Sequence, residues 1–214
     1  MAKVLVFDLM GTLLDPTVLD PDFKAHFGST GMRQIFFQKA YESMNVATIT
    51  GEYRAFADHA DAALRILSAM LDKPLSADER QSIVDKLGHL PPFAGVEEGL
   101  RKLKGEARLV ALTNGSLQSS KKALQGGGLS DLFERVYSCD EVAQAKPGPK
   151  PYLHVAETLG LAPGELTMVA AHAFDVAGAS SAGLRTVFLK RPGEVQNPLS
   201  PADREIRSLD ELVP

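Results

Sequence analysis

The sequence predicts an α/β fold: a doubly wound, mostly parallel sheet with a helical cap inserted into it. Three observations carry this expectation. Short β-branched and aromatic runs recur at 3–8, 108–113, 166–171 and 184–189. Helical stretches accompany them, at about 95–104, 116–125, 149–160 and 174–182. Strands alternating with helices imply a parallel sheet covered on both faces. Residues 15–92 break that rhythm and read as helical throughout.

The first run, Lys-Val-Leu-Val-Phe-Asp at 3–8, ends at a carboxylate and is followed by Met10-Gly11-Thr12. It reads as a buried strand feeding a tight loop. In the helical insertion, Tyr53, Phe56, Ala57, Ala60, Leu64, Leu67 and Leu71 recur at three- and four-residue steps, which gives one apolar helix face. Ser76 to Glu79 fits a capping box. Pro91-Pro92 stops the pattern. The second run ends at Asn114-Gly115, and the third ends near His172 and Asp175. The expected organisation is a core of residues 1–14 and 93–214 with a cap of residues 15–92. Ligands of open α/β sheets bind beyond the carboxyl ends of the strands. A cap rooted there would sit over that site and exclude water.

Composition narrows the function. With 23 basic and 27 acidic residues among 214, the net charge is −4. No Lys/Arg-rich stripe is present, so neither a nucleic-acid surface nor an anionic-membrane surface is expected. The single cysteine excludes an internal disulfide framework. The five histidines, at 26, 59, 89, 154 and 172, have no metal-ligand spacing. No apolar stretch approaches the ~18 residues of a membrane helix. The N-terminal run is broken by Asp8 and does not read as a signal peptide. A cytoplasmic protein with no cofactor is expected. Gly126-Gly127-Gly128 follows a helix instead of a strand, so it is no dinucleotide fingerprint.

The polar residues at the strand ends are the site candidates. Asp8 either caps the following turn or is a reactive carboxylate. Thr12 offers a hydroxyl, and Gly11 permits close backbone approach. Asn114 either forms an Asn-Gly turn or points an amide into a site. Lys146 alone is a surface lysine, and Asp175 alone is an acidic residue of a first helical turn. Together they make a carboxylate nucleophile, a lysine counter-ion, an amide or hydroxyl donor and a second carboxylate. That set suits catalysis through an enzyme ester which a second base hydrolyses.

FDLMGTLLD at 7–15, LTNGS at 112–116, KPGPKPY at 146–152 and VAAHAFDVAGASSAG at 169–183 resemble the four motifs of the haloacid dehalogenase superfamily. Within it, the chain is most similar to the type II L-2-haloacid dehalogenases. The resemblance implies a Rossmann-like core with a helical cap. It also implies a small-molecule 2-haloacid substrate, and a homodimer is a possibility. Asp8 would displace halide from C2, Asp175 would orient or deprotonate the hydrolytic water, and Lys146 would keep Asp8 ionised. Thr12, Thr113 and Asn114 match positions that hold the nucleophile or the substrate carboxylate. For Ser116 and Tyr152, capping or packing is at least as good a reading.

Most superfamily members are magnesium-dependent phosphatases, the alternative activity here. They carry an acid two residues after the nucleophile and an acidic metal ligand in the fourth motif. This chain has Met10 and Ala171 instead, so no metal is expected. A catalytically weak small-acid-binding member is the third reading. The dehalogenase pattern is also incomplete. An ungapped match puts Phe37 where the resemblance implies a cap arginine, as an apolar wall near the leaving group. Arg33, one turn earlier on the same helix face, either supplies the guanidinium or stays solvated. His172 replaces an amide; it is either a helix-start histidine bonded to backbone or a partner of Asp175 in positioning water.

Overall fold

The computed structural model describes residues 3–213. Six strands form one parallel sheet: β1 (Lys3–Phe7), β2 (Ala107–Thr113), β3 (Arg135–Ser138), β4 (Leu166–Ala170), β5 (Arg185–Leu189) and β6 (Arg204–Ile206). Their order is β3-β2-β1-β4-β5-β6. The chain therefore reverses its winding between β1 and β4, and a crevice opens there beyond the carboxyl ends. Register places Phe7 beside both Ala111 and Val169. The residues following β1, β2 and β4 thus emerge at one level.

Alternation along β1 divides the core. Leu5 and Phe7 pack with α5 (Val96–Lys104) and α6 (Leu117–Gly126) on one face. Val4 and Val6 pack with α7 (Pro149–Leu159) and α8 (Ala173–Ser181) on the other. All four side chains are essentially fully buried, each worth about 1.5–3 kcal/mol of apolar transfer. The strands β3 and β6 were not expected from the apolar runs. Both are short edge strands carrying charged residues, Arg135 in one and Arg204 and Glu205 in the other.

Between β1 and β2 the chain forms α1 (Asp20–Phe27), α2 (Met32–Thr50), α3 (Phe56–Leu71) and α4 (Ala77–Lys86). The Ser76 capping box opens α4: Glu79 N–H donates to Ser76 Oγ at 3.2 Å, and Ser76 N–H donates to Glu79 Oε2 at 2.7 Å. The apolar stripe starts later than expected. Tyr53 lies outside α3, which begins at Phe56 after an extended Ala55. The two passages to and from these helices pair with each other, through an antiparallel bridge between Leu14 and Pro92. Among the described residues no helix is long and apolar enough to cross a membrane.

Candidate active site

Asp8 leaves the end of β1 with its side chain only 8% exposed. An ionised carboxylate at that depth requires partners, and it has three. Lys146 Nζ donates to Oδ1 at 2.8 Å. Thr12 Oγ1 donates to Oδ2 at 2.7 Å, and His172 Nδ1 lies 3.2 Å from the same oxygen. The Thr12 hydroxyl also accepts the Ala171 N–H at 2.9 Å. Its proton is therefore committed to Asp8.

Lys146 is 1% exposed and spends all three of its protons on the protein. They go to Asp8, to the Leu112 carbonyl at 3.0 Å and to Asp175 Oδ2 at 2.6 Å. Asn114 fixes the lysine's backbone, its Oδ1 accepting the Lys146 N–H at 2.9 Å. Thr113 Oγ1 accepts the Gly115 N–H at 3.0 Å and shapes that turn. Asp175 is fully buried in the first turn of α8, where the helix dipole favours an anion. Its Oδ1 accepts the Tyr152 hydroxyl at 2.7 Å. Gly178 makes this contact possible: a Cβ there would lie 2.7 Å from the Tyr152 hydroxyl and from Pro147.

The electrostatics follow from two carboxylates sharing one ammonium. Burial pushes Asp8 up, but the Lys146 charge and the His172 contact outweigh it and hold the carboxyl well below the usual range. Burial raises Asp175, against the pull of Lys146. Burial would lower Lys146, yet Asp175 and Asp8 together hold it firmly protonated. His172 is raised too, because the hydrogen bond and charge of Asp8 overcome its desolvation.

The structure brings Asp8, Thr12, Asn114, Lys146, His172 and Asp175 together, and it gives Tyr152 a polar role beside them. Met10 is half-buried against the core in the tight loop after β1. Three expectations need correction. His172 bonds neither to backbone nor to Asp175; its polar partner is Asp8. Gly11, with φ at +77°, allows this, because a Cβ there would meet the imidazole at 2.7 Å. Arg33 is not a free solvated head, since its Nε donates to Asp20 at 2.6 Å. Phe37 is buried beside Phe36, their centroids 4.8 Å apart, and stacks toward Tyr41 at 6.1 Å. Tyr41 is the ring that meets the site, packing on His172 at 5.6 Å and on Phe174 at 4.9 Å. Sequence reasoning passed over Tyr41, although it lies four residues after Phe37 on the same helix face. It also passed over Arg191, whose Nε donates to the Thr12 carbonyl at 2.9 Å and whose guanidinium covers the Phe93 ring.

A model of the haloacid dehalogenase-like hydrolases matches residues 2–183. This chain belongs to the haloacid dehalogenase-like hydrolases. It is 31% identical to the (S)-2-haloacid dehalogenase of Pseudomonas sp. strain YL, over 99% of this chain and 93% of that protein. It is also 31% identical to a phosphoglycolate phosphatase of Thiobacillus denitrificans, over 85% of this chain and 80% of that one. The L-2-haloacid dehalogenase structure from Xanthobacter autotrophicus superposes with a TM-score of 0.91 at 24% identity, covering 99% of this chain and 97% of that one. That likeness carries the fold. As a haloacid dehalogenase-like hydrolase, the chain places its candidate carboxylates at the crevice its strand order creates.

Proposed function

We propose that this hydrolase displaces halide from a 2-haloalkanoate and releases a 2-hydroxy acid, with residues 15–92 acting as its cap. One observation carries the reading: a buried, ionised Asp8 whose Oδ2 is saturated by two donors while Oδ1 keeps a free lone pair. Oδ1 attacks C2 from behind, the C2–halogen bond breaks, and halide leaves with the electron pair. The ester formed on Asp8 is then attacked at its carbonyl carbon by water. Asp175 takes one proton of the water, and the oxyanion that develops on Oδ2 is stabilised by the Thr12 hydroxyl and the His172 Nδ1–H. Collapse breaks the bond to the substrate oxygen, which takes the proton back from Asp175 and leaves as the 2-hydroxy acid, and loss of the remaining proton to water restores the Asp8 carboxylate beside Lys146. Thr12 and Asn114 hold Asp8 and Lys146 in register, and Thr113 shapes the intervening turn.

The phosphatase alternative fits the site less well. Met10 supplies no proton to an alkoxide leaving group. A magnesium ion needs several oxygen ligands, yet Asp8 Oδ2 already accepts two hydrogen bonds. Ala171 adds no ligand. Halide release from 2-chloropropanoate with and without EDTA tests the reading, and chelator-insensitive release is expected. Magnesium-dependent hydrolysis of phosphate esters without halide release would refute it.

A further inference from the structure

We propose that His172, as an imidazolium, is the cation that binds the carboxylate of the substrate acid. The assignment rests on the dehalogenase reading for the identity of that acid. A 2-haloalkanoate brings a third negative charge to a site where Asp8 and Asp175 already share one ammonium. A cation beside Asp8 would offset it, and of the two that touch Asp8 within the described residues, Lys146 and His172, the lysine is committed. Lys146 has no proton left to donate. Arg33 is paired with Asp20. Arg191 gives its Nε to the Thr12 carbonyl and lies on Phe93, and neither arginine bonds Asp8.

His172 has a free donor. Its Nδ1 must carry a proton to donate to the carboxylate oxygen of Asp8. Its Nε2 makes no hydrogen bond within the described residues, and it is not among the polar atoms sealed from solvent. That edge of the ring lies over the bare Cα of Gly11. Phe174 stacks on one face at 5.2 Å, and Tyr41 packs edge-on at 5.6 Å, so the ring cannot swing away freely.

Backside displacement selects which substrate group His172 faces. The halide departs on the side of C2 opposite Asp8. A residue bonded to Asp8 itself lies on the near side, lateral to the line of attack. From there it reaches the carboxyl substituent of C2 and not the leaving group. The charged and titratable groups around the ring are Asp8 after β1, Asp175 on α8, Glu194 after β5 and Tyr41 on α2, with Lys146 acting through Asp8. Acidic neighbours prevail, which favours the protonated ring.

The test uses 2-hydroxypropanoate, an unreactive acid of product type. Long-range ¹H–¹⁵N spectra of the intact wild-type protein should show both His172 nitrogens protonated at pH 7. Adding the acid should raise the pH at which His172 titrates. Binding should weaken as pH rises through that titration. His172→Asn keeps a donor for Asp8 but not the charge, and should weaken acid binding by about 10- to 100-fold, the range of one charge-assisted hydrogen bond. For 2-chloropropanoate the same factor should appear mainly in KM. A neutral His172 at pH 7, or a titration unmoved by the acid, would overturn the assignment, and the wild-type spectra decide this even if the variant does not fold. Equal affinity in a folded His172→Asn would overturn it as well. Wild-type protein that shows these acid-binding signatures but releases no halide would instead refute the dehalogenase reading and leave the assignment standing.

Discussion

Lys146→Met tests the charge network most directly, because the thioether fills similar volume and removes only the ammonium. Three hydrogen bonds disappear, and two carboxylates, one almost and one fully buried, lose their shared counter-ion. Breaking a buried ion pair by deleting one partner costs about 3–5 kcal/mol, a large share of a typical stability of about 5–15 kcal/mol. At a urea slope of about 1–3 kcal/mol per molar, the midpoint at pH 8 should fall by roughly 1–5 M. The pH dependence between pH 8 and 5 should also steepen. In the wild type, Asp8 is held below its unfolded value. Its contribution is present above pH ~4 and is lost as acid protonates it. Without Lys146, burial leaves both carboxylates raised, so the variant should gain more stability than the wild type as pH falls from 8 to 5; the wild type gains only what its raised His172 and Asp175 contribute. Urea titrations at those two pH values measure both effects. A variant as stable as the wild type at pH 8, or one that loses stability on acidification over this range, would refute the account of two carboxylates sharing one ammonium.

Asp8→Asn should abolish halide release while leaving the fold intact; single-turnover reaction in ¹⁸O-water should label Asp8 of the wild type before product, and label appearing first in product would exclude the ester. Tyr152→Phe removes the hydroxyl from Asp175 Oδ1, so ester hydrolysis should slow by about 10- to 100-fold while one equivalent of halide is still released in a burst; rapid-quench mass spectrometry should find Asp8 esterified. Arg33→Ala breaks a partly exposed pair with Asp20, so it should cost at most about 1 kcal/mol in thermal unfolding and leave kcat/KM within about twofold; a hundredfold loss would return Arg33 to the site.

The core and the charged part of the site were legible because strand ends in a parallel sheet are fixed by a few residues each. Asp8, Asn114 and Asp175 follow buried runs whose register brings them to one level, and Lys146 reaches them from a loop held by Asn114. The aromatic side of the site was harder to read, for a physical reason. An α-helix carries Phe36, Phe37 and Tyr41 at about 100° per residue, so their partners depend on how α2 rotates against its neighbours. Spacing along the helix does not fix that rotation. In the structure, Phe36 is drawn to Phe23 of α1 at 5.2 Å, which turns Phe37 inward beside it and leaves Tyr41 to meet His172. The Arg33–Asp20 pair joins the same two helices. The packing of α1 on α2 thus accounts together for the buried Phe37, the occupied Arg33 and the ring that covers the imidazole. The cation proposed for the substrate comes instead from the core side, where Gly11 leaves room for a histidine against Asp8.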